Sequence, residues 1–160
     1  MNIRALQKED YPVIYLYMQE LHSLHAKERP DLYEPLKHPY SENEYLNIVE
    51  DEKRIAIAAV DKTDNIIGFG IATLKDRSGM IDDLKTAYIN DIFVRKEYRR
   101  KGIGKIIFEQ LEIKAKEHDA KRVDLMVLGF NETAFELYKS LGMKPQRYIA
   151  WKAVIKFGSV

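Results

Sequence analysis

The stretch Tyr88–Gly104, YINDIFVRKEYRRKGIG, decides how the rest of the chain is read. Its first half, Tyr88 to Val94, holds Ile89, Ile92, Phe93 and Val94, the β-branched and aromatic bulk that a pleated, buried surface favours, and predicts a strand interrupted by the polar pair Asn90 and Asp91. Its second half, Arg99-Arg100-Lys101-Gly102-Ile103-Gly104, is a basic turn, after which Ile103, Ile106, Ile107, Phe108 and Leu111 recur at near-helical spacing. A helix therefore starts near Gly102. The first turn of a helix leaves backbone N–H groups without intrahelical partners, and the macrodipole adds partial positive charge there. Glycine at 102 and 104 removes side chains that would keep an anion from those amides, and Arg95, Lys96, Arg99, Arg100, Lys101 and Lys105 surround the turn against a single acid, Glu97. The expected partner is a phosphate or pyrophosphate.

Spacing separates this turn from other anion-binding loops. No Gly-x-x-x-x-Gly-Lys-Ser/Thr run occurs in the chain, and Ile106 and Ile107 follow Gly104 where a dinucleotide fingerprint needs a third glycine. A basic helix start used as a solvated face is the bland alternative.

Composition sets the outer bounds. A chain of 160 residues is expected to be one domain, and 46% hydrophobic and 32% charged residues with net charge +1 are ordinary for a globular protein. That balance argues against a nucleic-acid-binding chain and makes the basic cluster a local feature. The absence of cysteine excludes disulfides, thiolate metal sites and a cysteine nucleophile. Arg4, Lys8, Glu9 and Asp10 interrupt the start before any signal-like apolar run forms, and no stretch is apolar for long enough to span a bilayer. A cytoplasmic protein is the expectation.

Outward from the central stretch, residues 2–6 predict a first strand, and Asp10 caps a helix with Pro12 in its first turn that runs to about Ala26. His22 and His25 stand three apart on it without a third ligand at zinc spacing, so no metal is expected. Pro30, Pro35 and Pro39 make 27–40 an irregular loop carrying Arg29, Asp31, Tyr33, Glu34, Lys37, His38 and Tyr40. Ser41 and Glu44 form a capping box for a second helix. Arg54–Val60 and Ile66–Leu74 predict a hairpin closed by 61–65, in which Gly68 and Gly70 mark a bulge or a close backbone approach. Lys75 to Lys85 reads as a polar loop, with Asp76, Asp82 and Asp83 a candidate acidic lip for a cationic acceptor. After the central helix, which ends near His118, come a strand at Arg122–Leu128 and a short helix capped by Asn131 and stopped by Gly142. A last strand is expected at Tyr148–Ile155, with a further short one at Gly142–Pro145 and a patternless tail at 156–160. The order predicts an α/β fold: a mixed, mostly antiparallel central sheet of six to seven strands flanked by about four helices.

Two blocks carry a family resemblance. The strand ending in DIFV, the RKEYRR link and the Gly-x-Gly helix start resemble the GCN5-related N-acetyltransferase (GNAT) superfamily. The block Asn131-x-x-Ala134-x-x-Leu137-Tyr138-x-x-Leu141-Gly142-Met143 closely resembles that family's second signature. The resemblance covers residues 1–155 as a single acetyltransferase-like domain, and its specific motifs lie between 88 and 143. It implies acetyl-CoA as co-substrate, without a metal. The pyrophosphate would lie on Arg99, Arg100, Lys101, Gly102, Ile103, Gly104 and Lys105, the pantetheine arm along the backbone of Ile92, Phe93 and Val94, and Asn131 and Tyr138 would complete the cofactor site.

The activity so implied is N-acetyl transfer from acetyl-CoA to a primary amine by direct attack in a ternary complex, which needs no covalent enzyme intermediate. Tyr138 is the expected general acid for the leaving thiolate, since a phenol is a neutral donor at pH 7. The family often places a base where Tyr88 or Asn90 stands here, and asparagine cannot accept a proton. Asp91 is therefore the candidate base, turned toward the site by a β-bulge of the kind the family has, with Tyr88 sharing the role through water. Asn90, Asp91 and Tyr33 are the expected acceptor contacts. The partner is a small-molecule or peptide amine, with a homodimer open and neither nucleic acid nor membrane expected. The competing class is a non-catalytic acyl-CoA sensor.

Overall fold

The computed structural model describes residues 1–35, 40–77, 84–147 and 149. Five strands, β1 (Asn2–Ala5), β2 (Arg54–Val60), β3 (Ile66–Arg77), β4 (Leu84–Val94) and β5 (Arg122–Asp124), stand beside four α-helices, α1 (Tyr11–Glu28), α2 (Glu42–Glu50), α3 (Ile103–Glu117) and α4 (Glu132–Ser140). The strands lie in one sheet in chain order, antiparallel from β1 to β4 and parallel between β4 and β5. A parallel neighbour needs a crossover, and α3 supplies it.

Period-two alternation along the strands divides the apolar side chains between two faces. One face buries Ile55, Ile57, Ala72, Leu74, Ala87 and Ile89 beneath Ile103, Ile107, Phe108, Leu111 and Ala115 of α3. The other buries Ala58, Val60, Phe69, Ile71 and Phe93 beneath Ile14 and Met18 of α1 and Tyr45 and Ile48 of α2. Helices therefore cover both faces, as the order of elements predicts. Gly68 and Gly70 make the α3 side possible. A Cβ on Gly70 would lie 2.6 Å from Ile107 Cγ2, and one on Gly68 would lie 2.7 Å from the Phe93 carbonyl oxygen. Close approach is thus the role of both.

Several boundaries depart from expectation. The hairpin of β3 and β4 extends through Lys75↔Thr86, Asp76↔Lys85 and Arg77↔Leu84, where a polar loop is expected. Backbone pairing carries this extension without an apolar face, aided by opposite charges across Asp76 and Lys85 and by Lys75 Nζ, 4.1 Å from the centre of the Tyr88 ring. Asp10 does not cap α1 through its side chain. Its carboxylate takes Arg4 Nη1 and Nη2 at 2.7 and 2.9 Å and the Gln7 N–H at 2.8 Å, closing the 3-10 turn Lys8–Asp10 instead. Ser41 and Glu44 form the expected capping box. β5 ends at Asp124 rather than Leu128, and residues 143–145 are not a strand, so the described residues form five strands rather than six or seven. The predicted strand Tyr148–Ile155 and the tail lie outside the described residues, apart from Ile149.

The glycine packing has a measurable consequence. Gly70→Ala forces Ile107 or Leu111 to move in a filled core and should lower unfolding stability by about 1–3 kcal/mol. Urea denaturation read by circular dichroism checks this, with a reduced midpoint and an unchanged slope as the expected result.

Candidate acetyl-transfer site

The parallel pairing of β4 with β5 lasts from Thr86↔Arg122 to Tyr88↔Asp124. Beyond it the two chains part. β4 continues paired to β3 on one edge only, and residues 125–128 follow their own path. A cavity of about 310 Å³ opens between them, lined by Tyr88, Asn90, Asp91 and Ile92 from β4, by Met126, Val127 and Leu128, and by Asn131, Ala134 and Tyr138 of the α4 region. Among the described residues, the backbone groups on this edge of β4 have no strand partner there, which is the condition for an extended ligand to pair with them. A larger groove of about 660 Å³, lined by Glu50, Asp51, Lys53 and Asp76 among others, takes Asp76 of the expected acidic lip and none of the expected catalytic or cofactor residues.

A bulge sets the direction of the β4 side chains. Asp91 pairs with Ile71 and Ile89 with Ala72, so Asn90 is the extra residue. Thr73 Oγ1 donates to Asn90 Oδ1 at 2.6 Å, and Arg54 Nη1 donates to Thr73 Oγ1 at 2.6 Å, which ties the bulge to β2 and β3. Asn90 and its neighbour Asp91 both line the cavity, as do Tyr88, Ile89 and Ile92. Burial pushes the Asp91 carboxyl up to about 6, against the opposing pull of the Arg54 charge.

Tyr138 meets Asp91 across the same cavity from α4. Asn131 caps that helix, its Oδ1 accepting from the Ala134 N–H at 3.1 Å, which leaves its amide nitrogen able to donate to a ligand. At the other end the Gly142 N–H donates to the Lys139 carbonyl at 3.0 Å and the Met143 N–H to the Tyr138 carbonyl at 3.1 Å, with Gly142 at φ +83°. This left-handed stop fixes the turn that bears Tyr138. Burial first, and the Asp91 charge second, push the Tyr138 phenol up to about 12, so it keeps its proton at neutral pH.

The basic turn lies at the end of β4. Gly102 is the N-cap of α3 at φ +79°, with no side-chain cap and open space where a Cβ would stand. The Ile106 N–H is bonded to the Gly102 carbonyl at 3.1 Å, so the amides of Ile103, Gly104 and Lys105 precede the helical ladder and can receive an anion. Gly104 has a second role: a Cβ there would meet Leu137 Cδ2 at 3.4 Å, so the position also lets α4 approach α3.

The cations divide. Arg99 is committed to the protein, donating to the Val94 carbonyl and to Glu20 of α1, both at 2.8 Å. Lys105 is 3.7 Å from Glu109. Arg100, at φ 63°, and Lys101, whose Nζ is 5.2 Å from the Tyr98 ring centre, have no acidic partner among the described residues. Phe93 and Ile103 have buried side chains, leaving only their backbones for a ligand, while Ile92 lines the cavity.

Tyr33 also reaches the cavity, as the sequence predicts for an acceptor contact, and it brings neighbours that the sequence reading did not place there. Its ring stacks on His25 at 5.3 Å and meets His22 edge-on at 6.0 Å, and both histidines line the cavity with Met18, Leu21 and Tyr40. Met18, His22 and His25 fall at helical spacing on α1. That signal is present in the sequence but reads equally as a core stripe. Among the described residues no group of three or more His, Cys, Asp or Glu is placed to hold a metal. Asp82 and Asp83 of the predicted acidic lip, with Lys37 and His38, lie outside the described residues. No helix among the described residues is long and apolar enough to cross a membrane.

Comparison with known proteins agrees with this geometry. The acetyltransferase (GNAT) family matches residues 18–143. The N-alpha-acetyltransferase 60 of Danio rerio is 28% identical over 139 residues, covering 74% of this chain and 57% of the relative. The thialysine N-epsilon-acetyltransferase of Bos taurus is 33% identical over 82 residues, covering 48% of this chain and 44% of the relative. The chain thus spans about half the length of the curated relatives it matches. In three dimensions it is similar to the crystal structure of a mutant BH1408 protein from Bacillus halodurans, with a TM-score of 0.92, 28% identity and coverage of 97% of this chain and 100% of that one.

The raised Asp91 value is also a statement about stability. An acid whose folded-state pKa lies above its unfolded value of 3.8 favours folding most when protonated, and that contribution is lost as pH rises through about 6. Asp91→Asn should therefore be more stable than wild type at pH 7, by up to about 3 kcal/mol, and match it below pH 4 or so. Thermal melts across this range check the sign.

Proposed function

The chain belongs to the acetyltransferase (GNAT) family, and on that premise we propose that it transfers an acetyl group from acetyl-CoA to a primary amine by direct attack in a ternary complex. The observation that carries the reading is the convergence of Asp91 and Tyr138 on one cavity, beside an open strand edge and an uncapped helix start. Relatives named for N-alpha and N-epsilon acetylation support amines as the acceptor class.

The pyrophosphate lies on the amides of Ile103, Gly104 and Lys105, with Arg100 and Lys101 as the free cations and Arg99 as a strut holding the turn to β4 and α1. The pantetheine arm runs along the open edge at Ile92, Phe93 and Val94, and Asn131 donates its amide nitrogen. Bound there, acetyl-CoA supplies the thioester carbonyl that the amine attacks. Asp91 accepts the proton that the amine must shed, directly or through one water, and its raised pKa brings it closer to neutral pH than an ordinary carboxylate. A nitrogen–carbon bond forms and the carbon–sulfur bond breaks. Tyr138 gives its hydroxyl proton to the departing sulfur and regains one from solvent. Tyr88 walls the acceptor side and relays protons through water, while Asn90 holds the bulge and offers its amide to the acceptor together with Tyr33.

Two measurements test these assignments. Tyr138→Phe should keep coenzyme A binding and lower turnover on the order of ten- to ten-thousand-fold. The wild-type kcat/KM should fall as pH drops through about 6, where Asp91 gains its proton, and Asp91→Asn should lack that limb. Coenzyme A binding without thiol release on any primary amine would instead favour the acyl-CoA sensor.

Gly102→Val tests the cofactor turn. The side chain would enter the open space above the α3 amides and lower coenzyme A affinity by about tenfold or more, while the left-handed backbone adds about 1–2 kcal/mol of strain, small enough to leave the protein folded. Calorimetric titration beside a thermal melt separates the two effects.

A further inference from the structure

One group of the residues at the cavity is made of rings. Tyr33 lies on His25 with 26° between planes, Phe130 backs His25 edge-on at 5.9 Å, and Tyr40 and Tyr88 close the sides. This wall is held in place. The Tyr33 N–H donates to the Arg29 carbonyl at 2.9 Å, Arg29 grips Asp31 through two bonds of 2.7 Å, and His22 Nε2 lies 2.7 Å from the Glu34 carbonyl. A carbonyl oxygen only accepts, so Nε2 carries a hydrogen and the His22 ring is oriented by it. Tyr33 is therefore a fixed face and not a loose side chain at a loop tip.

The same wall is poor in charge. Asp91 is the one carboxylate among the described residues that line the cavity, and neither lysine nor arginine is among them. Arg54 is the nearest cation: it lines the other groove, its Nη1 donates to Thr73 at 2.6 Å and lies 3.5 Å from Asn90 Oδ1, and its charge acts on Asp91 from behind that pair. Burial and the neighbouring His22 hold the His25 imidazole below its usual value, so at neutral pH it is an uncharged ring. An ammonium thus finds a counter-charge in Asp91, whereas a carboxylate beside that ammonium finds a like charge, with no lysine or arginine among the described residues of the lining to offset it. Flat apolar groups find a stacking surface.

We propose that the acceptor is a primary amine carried on a flat, uncharged body and without a carboxylate beside the amine, its body seated against Tyr33 and His25 and its nitrogen directed to Asp91. This rests on the acetyl-transfer reading given above and narrows it from amines in general to one class. Two sources share the chemistry: a free aromatic amine, and an aromatic N-terminal residue whose carboxylate is replaced by an amide.

Tyramine, tyrosine, tyrosine amide and n-butylamine separate these terms. In steady-state assays following free thiol, tyramine should exceed tyrosine in kcat/KM by roughly 100-fold, the scale of an uncompensated like-charge contact. It should exceed n-butylamine by about tenfold, the scale of a ring stacked on an aromatic face. Tyr33→Leu, which keeps the apolar volume and removes the ring, should reduce the advantage over n-butylamine and leave the discrimination against tyrosine intact. Tyrosine amide matching tyramine would mark an N-terminal residue as the natural source, and tyramine alone would mark a free amine; either upholds the charge rule. The same four compounds titrated into protein saturated with desulfo-coenzyme A read binding without chemistry. Tyramine binding well above tyrosine, with no thiol released from any of them, would uphold the pocket and remove the transfer reading. Tyrosine equal to tyramine in both assays would overturn the proposal.

Discussion

The site depends on one backbone constraint, the parting of β4 from the chain that follows β5 after three paired residues. A sheet interior normally pairs both edges of every strand, because an unpaired buried amide or carbonyl costs a hydrogen bond. Here β4 keeps β3 on one side to its last residue, Val94, and gives up its partner on the other from Ile89 onward. The resulting gap is polar along its backbone and apolar along much of its side-chain lining. That is the environment an extended, partly apolar ligand with amide groups would complete. The short β5 is the geometric reason that a site exists.

Placement of the helix start follows from packing. Gly68 and Gly70 let Ile107 and Leu111 of α3 lie directly against β3, and Gly104 lets Leu137 of α4 approach α3. These close approaches bring the uncapped amides at Ile103–Lys105 to the end of β4 and Tyr138 to the wall of the gap. Arg99 adds a polar strut, since its two bonds join the turn to the last carbonyl of β4 and to Glu20 on α1. Cofactor turn, strand edge and phenol are thus fixed relative to one another by contacts that involve no ligand.

What the chain discloses in one dimension follows the range of the interactions concerned. The strand ending at Val94, the glycine start of α3, the Ser41–Glu44 box and the Asn131 and Gly142 stops are local, and their residue types announce them. The ring wall is not local. His22 and His25 show the spacing of a buried stripe, and only Tyr33, Glu34 and Phe130 arriving from elsewhere make them cavity residues. Arg99, expected from the sequence at the phosphate turn, is also bonded to Glu20, and a partner so far away in sequence leaves no local sign. The extended hairpin at 75–77 and 84–86 escaped for the opposite reason: its polar side chains carry no strand pattern, and the pairing is a property of the backbone.

The charge at the centre of the site is a balance set by the bulge. Without an extra residue at Asn90, strict alternation would send the side chains of neighbours 90 and 91 to opposite faces of the sheet. Turned inward, the carboxylate loses water, and an isolated buried charge would simply neutralise. Arg54 opposes that from the cluster that holds the bulge: it favours the ionised form, is bonded to the same Thr73 that secures Asn90, and brings its Nη1 to 3.5 Å from Asn90 Oδ1. The bulge clamp and the electrostatic counterweight are therefore one cluster. Its outcome is a carboxyl raised to about 6 by burial and drawn back toward ionisation by Arg54. Arg54 is not itself among the described residues that line the cavity, so the cation that favours the ionised acid acts through the cluster that also fixes Asn90, and the conformation of the bulge and the charge of Asp91 are set together.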